Sequence, residues 1–254
     1  MDISRLNIPS DIEPDLTFVG VGPGDPSLLT LAAVSAIQSA TIVSFPVAKK
    51  GGSSIAATII ADWVTEDKKK LPLLFPMVNE VEPRLHSWRN ASNQLANVIS
   101  QGEKVVFLSQ GDVSIFSTSS YLLFDFQANY PQYQIRLVPG VNSFSAAAAI
   151  AQLPLILQNE QLLVLPTPDH PDVLEDLLKD SASMGRVLAL LKLGKRWSWV
   201  RPLLEKLNIL DKSVFAQGIG LKGEKVVLAN KVEASEKPYF SLLLIRQSWP
   251  EVFP

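Results

Sequence analysis

Between Leu16 and Ala151 the sequence alternates short, mostly apolar runs with segments of helical period, and this alternation leaves the chain few architectures. Leu16–Val21, Thr41–Phe45 and Lys104–Ser109 are rich in β-branched and aromatic residues, and Gln134–Val138 is a further run that stops at Pro139-Gly140. Leu71–Phe75 also reads as extended, up to Pro76. Between these runs lie predicted helices. Leu28–Gln38 has Leu28, Leu31, Ala32, Val34 and Ile37 for its apolar face and Ser27 as its cap. A helix starts at Ser53 or Ser54 and runs to Val64, and Glu82–Ser100 is amphipathic. Ile115–Ala128 and the alanine-rich Ser143–Ala151 complete the set. Strands separated by helices become parallel neighbours, with the helices packed on the sheet faces. The second half restarts at Leu162–Leu165, followed by a helix near Asp172–Lys179 with Pro171 in its first turn, a strand at Val187–Leu191 and a helix at Trp197–Leu207. Ser213–Gln217, Lys225–Ala229 and Tyr239–Ile245 then follow with no long helix between them, which predicts antiparallel neighbours. The expected organisation is α/β throughout: an N-terminal extension 1–15, a domain 16–152 with a mostly parallel sheet, and a domain 153–254 with a mixed sheet.

Composition narrows the function classes. With 47% hydrophobic residues, the 254-residue chain can fill the cores of two such domains. A net charge of −2, with only 19% charged residues, argues against nucleic acid as the partner. No apolar run reaches the roughly 18 residues of a membrane span. Met1–Asp15 carries Asp2, Arg5, Asp11, Glu13 and Asp15, with no apolar stretch of signal-peptide length, so the expectation is a soluble cytoplasmic protein. The absence of cysteine excludes disulfides, thiolate nucleophiles, iron–sulfur clusters and cysteine-built zinc sites. His86 and His170 are the only histidines, no nucleophile-elbow pattern accompanies them, and no bound metal is expected.

Three glycine motifs each follow a predicted strand. In Gly20-Val21-Gly22-Pro23-Gly24-Asp25-Pro26 the glycines let the backbone approach a ligand or take positive φ. This is not a dinucleotide fingerprint, because Asp25 stands where a third glycine is needed and its carboxylate would repel a pyrophosphate. No Gly-Lys-Ser/Thr follows, so it is not a Walker loop either. A tight turn with Asp25 as a helix cap accounts for it as well. Gln110-Gly111-Asp112 lies beyond the end of a strand, where open α/β sheets bind ligands, and Asp112 can accept hydrogen bonds from ribose hydroxyls or an amino group. A structural turn is the competing reading. Pro139-Gly140-Val141-Asn142-Ser143 has the same placement, and there Asn142 or Ser143 can simply cap the following helix.

Taken together at these spacings, and followed by a second α/β half, the three motifs resemble the tetrapyrrole methylase family over Leu16–Ile245. Phe45-Pro46-Val47-Ala48, Phe75-Pro76-Met77, Trp88, Leu191-Lys192-Leu193-Gly194-Lys195 and Pro238-Tyr239-Phe240-Ser241-Leu242 resemble its precorrin-2 C20-methyltransferase branch. The resemblance implies two α/β domains with the active site in a cleft between them, a homodimer, and S-adenosylmethionine bound folded, largely through main-chain atoms. Carried over motif by motif, it implies cofactor contacts from Gln110, Gly111, Asp112, Ile115, Phe116, Asn142 and Ser143, and from Leu191, Lys192, Ile219, Tyr239, Phe240 and Ser241 of the second domain. It implies methyl transfer to C20 of precorrin-2 or cobalt-factor II in cobalamin synthesis. The ring supplies the nucleophile and the protein mainly orients the reactants, so no catalytic side chain is assigned. The chain departs from the pattern at Val113-Ser114-Ile115-Phe116, where a proline and an aromatic are usual, at Asn142, where serine or threonine is usual, and at Gly218-Ile219-Gly220, in place of an Arg-Ala-Thr run. The alternatives are another tetrapyrrole methylase (C17 or uroporphyrinogen type), the diphthine-forming relative, or a non-catalytic tetrapyrrole carrier or sensor.

A polycarboxylate ring needs cations. Pro23 is expected to face the tetrapyrrole, and Lys49, Arg84, His86 and Arg89 are the candidate substrate-binding residues. Lys49 and Lys50 follow a strand on the ligand side of the sheet, and Arg84 and Arg89 flank Trp88. Lys192, Lys195 and Arg196 follow a second-domain strand. Arginine can grip a carboxylate bidentately, although ordinary surface charge explains each of these residues too. His170 reads as part of a surface turn.

Overall fold

The structure, a computed structural model, describes residues 13–76 and 80–250. Met77 of the Phe-Pro-Met segment and most of the expected N-terminal extension lie outside the described residues. The chain divides into two compact units, residues 1–141 and 142–254. The sequence expectation put the division at 152/153. It falls earlier because the helix Ser143–Ile150 (α5) packs on a strand of the second unit, Ser241–Ile245 (β10).

The first unit is built on β1 (Leu16–Gly20), β2 (Ile42–Val47), β3 (Lys69–Leu74), β4 (Val105–Ser109) and β5 (Ile135–Val138). They form one sheet in the order β3-β2-β4-β1-β5, with every pair parallel. β1 and β4 are buried at every position, as expected for central strands covered on both faces. The period of two sends Phe18 and Phe107 to one face, where α3 (Val81–Ile99) and α4 (Thr118–Asn129) bury Leu95, Ile99, Leu122 and Phe126 against them. It sends Val19 and Leu108 to the other, under Ala33 and Ile37 of α1 (Leu31–Ser39) and Ile59 of α2 (Ile55–Ile59).

Two helix starts differ from the sequence expectation. Pro26–Leu28 is a separate 3-10 turn capped by Asp25, which accepts from the Ser27 amide at 2.8 Å. The cap of α1 is therefore Thr30, accepting from Ala33 at 3.1 Å, and not Ser27. α4 starts at Thr118 and not Ile115, because Phe116 has φ +51 and Ser117 caps the helix by accepting from the Ser119 amide at 3.1 Å. A left-handed residue ends one local structure and lets the next begin.

The second unit holds β6 (Gln161–Pro166), β7 (Arg186–Leu191), β8 (Ser213–Gln217), β9 (Lys225–Leu228) and β10. Their order is β6-β7-β10-β8-β9; β6–β7 is parallel and the other pairs are antiparallel. α6 (Pro171–Ser183) and α7 (Trp197–Lys206) cover one face around fully buried Trp197, whose indole donates to Glu233 O at 2.9 Å. Tyr239 and Phe240 precede β10 rather than forming part of it. Segment 154–160 is held by Arg246, which grips Glu160 bidentately at 2.6 and 2.7 Å and donates to Pro154 O and Leu155 O.

Candidate functional site

Because β1 lies between β4 and β5, the three glycine motifs emerge side by side at the carboxyl edge of the first sheet. Here their main chains touch. A β-carbon on Gly140 would lie 2.2 Å from Gly111 O and 2.7 Å from Gly20 C; on Gly20 it would lie 2.6 Å from Gly140 N. These two glycines are required by backbone-to-backbone packing. Gly111 differs, with φ +74 and no atom within 4 Å of where its β-carbon would stand, so its outer face is an open main-chain shelf. Gly22 and Gly111 exchange both amide bonds, at 3.2 and 2.7 Å. Gln110 Nε2 donates to Pro23 O at 2.8 Å, fixing the first loop to the second, and Pro23 is buried.

Asp112 is 7% exposed and its carboxylate is engaged within this junction. One oxygen accepts from the Ser114 amide at 2.8 Å and from the Ser114 hydroxyl; the other accepts from Gly140 N at 2.9 Å. Burial alone would raise this carboxyl, but the Ser114 hydroxyl and the Ser114, Gly140 and Val113 amides outweigh it and hold the group below the usual aspartate range. Asp112 thus latches the β4 loop to the β5 loop. Beyond it, Ile115 is half-buried and Phe116 is 48% exposed. Asn142 occupies the N-cap position of α5 without a side-chain cap bond, and Ser143 is the first residue of the helix.

The second unit gathers its predicted residues at one sheet edge as well. β10 runs antiparallel to β7 and β8, which brings its start beside their ends. Leu193 N donates to Ser241 O at 2.9 Å, Gly194 N to Ser241 Oγ at 3.1 Å, and Gly218 N to Phe240 O at 2.8 Å. Ser241 Oγ in turn donates to Pro238 O at 2.7 Å. Leu191 O accepts from both Thr167 N and Thr167 Oγ1. Lys192 has φ +57, Ile219 is buried between two positive-φ glycines, and Tyr239 and Phe240 are exposed. Leu191, Lys192, Ile219, Tyr239, Phe240 and Ser241 therefore share one edge.

The candidate substrate cations are not gathered in this way. Lys49 is exposed beyond β2, while Arg84, His86 and Arg89 lie on α3. Arg89 is ion-paired to Asp125 at 2.8 Å and donates to Asn129, both on α4; Arg84 Nε donates to the carbonyl of Glu80, the N-cap of α3, at 3.3 Å; His86 is exposed. Trp88 stacks on Tyr121 at 4.0 Å. Arg196 is ion-paired to Asp169 and donates to Lys192 O. Ser109, Ser117 and Ser119, absent from the sequence expectation, form a buried hydroxyl cluster behind the Gln110–Asp112 loop. Ser109 ends one strand and Ser117 and Ser119 lie in a Ser-Thr-Ser-Ser stretch that reads as a helix start, so their pairing across eight to ten residues carries no sequence signal. No helix of the described residues is long and apolar enough to cross a membrane, and no group of three His, Cys, Asp or Glu among them could hold a metal.

Comparison with known proteins gives the same outline. The chain is 29% identical over 237 residues to a cobalt-precorrin-2 C(20)-methyltransferase of Salmonella typhimurium, covering 92% of this chain and 97% of that one. It is 28% identical over 244 residues to a precorrin-2 C(20)-methyltransferase of Sinorhizobium, covering 91% and 94%. Its fold matches that of uroporphyrin-III C-methyl transferase from Thermus thermophilus complexed with S-adenosyl homocysteine, with a TM-score of 0.59 at 20% identity, over 91% of this chain and 97% of that one. Residues 15–234 match the family described as tetrapyrrole (corrin/porphyrin) methylases, and the chain belongs to that family.

Proposed function

We propose that this chain is an S-adenosylmethionine-dependent C-methyltransferase that methylates C20 of precorrin-2, or of its cobalt-containing form, in cobalamin synthesis. The observation that carries the cofactor assignment is the open shelf at Gly111, where, unlike at Gly20, Gly22 and Gly140, no atom of the described residues lies within 4 Å of the β-carbon position. The choice of C20 is supported by near full-length similarity to two relatives named for that position.

S-adenosylmethionine, when bound, supplies an electrophilic sulfonium methyl to a ring carbon that is itself the nucleophile. The chain's part is positional. Gly111 offers main chain without a side chain in the way, and Gln110 and Asp112 fix the loop that presents it. In the second unit, Leu191–Gly194 and Gly218–Gly220 are held to the start of β10 by main-chain bonds, giving a second main-chain edge. Holding two reactants in line is a sufficient source of rate when one is nucleophilic and the other activated. The reading includes Arg84 and Lys49 as contacts for ring carboxylates, and a cytoplasmic homodimer, which sedimentation equilibrium would test.

Titration calorimetry with S-adenosylhomocysteine tests the assignment. The expected result is about one site per chain with micromolar affinity. Turnover with metal-free and cobalt-loaded precorrin-2 then identifies the ring. Absence of binding at high ligand concentration, together with retained tetrapyrrole binding, would replace the enzyme by a carrier.

A further inference from the structure

We propose that Ser109, Ser117 and Ser119 are positioning residues that preset the 110–116 loop for the cofactor, an inference that rests on the methyltransferase reading above. The three hydroxyls converge in a buried site, with residue exposures of 5%, 8% and 1%. Ser117 Oγ donates to Ser109 Oγ at 3.0 Å, Ser109 and Ser119 share a short hydroxyl–hydroxyl bond, and Ser117 Oγ also accepts from Ser119 N at 3.1 Å. Each member has a different backbone duty. Ser109 is the last residue of β4, and its carbonyl receives Val21 N at 2.9 Å, so it is already bound to the chain leaving β1. Ser117 caps α4 and Ser119 lies in its first turn.

The cluster therefore closes the chain between residues 109 and 117 by side-chain bonds, and the enclosed segment carries Gln110, Gly111, Asp112, Ile115 and Phe116. It also explains how Phe116 keeps φ +51, since the residues on either side of the segment are pinned. A non-glycine residue in the left-handed region persists where its surroundings over-determine it. Hydroxyls that bond mainly to one another in low dielectric form a unit whose loss is felt jointly.

The test measures S-adenosylhomocysteine affinity by calorimetry and thermal midpoints for wild type, Ser109→Ala, Ser117→Ala, Ser117→Thr and Ser44→Ala. Ser44 is the matched control: it is fully buried in β2 of the same sheet, donates to Leu71 O at 2.9 Å, and lies outside the loop. Ser109→Ala and Ser117→Ala should each weaken binding about tenfold, the equivalent of one buried hydrogen bond. Ser117→Thr, which keeps the hydroxyl, should restore most of the affinity. Ser44→Ala should lower the midpoint comparably while leaving affinity within about twofold of wild type. Equal affinity losses in Ser44→Ala and Ser109→Ala, or no loss in Ser109→Ala, would overturn the positioning role while leaving the enzyme reading intact. Failure of the wild type to bind would remove both.

Discussion

Gly140→Ala places a β-carbon 2.2 Å from Gly111 O and 2.7 Å from Gly20 C. An ordinary carbon–oxygen contact is longer by about 1 Å, and both opposing atoms are backbone, so no rotamer change relieves the clash. The β5 end must withdraw, and the bond from Gly140 N to Asp112 goes with it. Overpacking of this kind costs about 1–3 kcal/mol. A lost hydrogen bond to a buried carboxylate adds about 1.5–3 kcal/mol. The sum, about 2.5–6 kcal/mol, corresponds to a drop in thermal midpoint of about 5–20 °C for a chain of this size. Gly111→Ala is the instructive contrast. Its β-carbon meets nothing, so the cost is only the left-handed strain of about 1–2 kcal/mol at φ +74. Its methyl, however, stands on the proposed cofactor shelf. Differential scanning calorimetry with and without S-adenosylhomocysteine separates the two effects. Gly140→Ala should lose most in the ligand-free scan, and Gly111→Ala most of the ligand-induced upshift. A Gly140→Ala midpoint within about 2 °C of wild type would show that the strand ends are not in contact, and the account of the junction would fall with it.

Asp112→Asn should lower stability by about 1–3 kcal/mol and weaken cofactor binding, because an amide NH2 cannot replace both acceptor oxygens facing Ser114 and Gly140. The folded Asp112 carboxyl is held below its ordinary range, so its contribution is present above the unfolded value of about pH 3.9 and is lost as the pH falls through the folded value; acid titration of wild type against Asp112→Asn should diverge above that window and converge below it. Arg246→Leu should cost about 3–5 kcal/mol by stranding Glu160, whose partner's side chain is 2% exposed, and Arg246→Met with Glu160→Gln should recover part of that, both read by chemical denaturation. Arg84→Ala should raise the apparent Michaelis constant for the tetrapyrrole more than for the cofactor, whereas Arg89→Ala, already committed to Asp125 at a half-exposed pair, should change stability by less than about 1 kcal/mol and neither constant.

The strands were legible because both faces of β1 and β4 are buried, which leaves unbroken apolar runs that no surface segment would show. The parallel pairing of these strands then followed from the strand–helix alternation, whereas their order β3-β2-β4-β1-β5 did not. What the sequence does not reveal is pairing across distance. Asp112 reads as a ligand acceptor, but nothing in the sequence shows that Gly140, just beyond another strand, donates to one of its oxygens. Arg89 looks available until Asp125, one helix away, takes its guanidinium. The start of α4 was misplaced because the apolar period runs through Ile115 and Phe116, whereas the backbone is decided by the left-handed turn at Phe116 and the Ser117 cap. The contact of α5 with β10, which moves the unit boundary, is likewise tertiary.

A site made of strand-end main chain explains which side chains the fold holds fixed. The departure at Gly218-Ile219-Gly220 falls where backbone atoms make a junction, and that at Val113 falls beside one. The Gly218 N bond to Phe240 O is indifferent to the side chain at either residue, and Val113 can vary while the Asp112 carboxylate continues to tie Ser114 to Gly140. The side chains that cannot vary freely are those that hold main chain to main chain: Gln110 on Pro23, Asp112 on Gly140, and Ser241 on Gly194. Each is a hydrogen-bonding group that would be left unsatisfied, or leave a partner so, if truncated. Affinity for the cofactor should therefore respond to Gln110 and Asp112 through geometry, and their effects should add with one another less than independent sites would, because both act on the same loop.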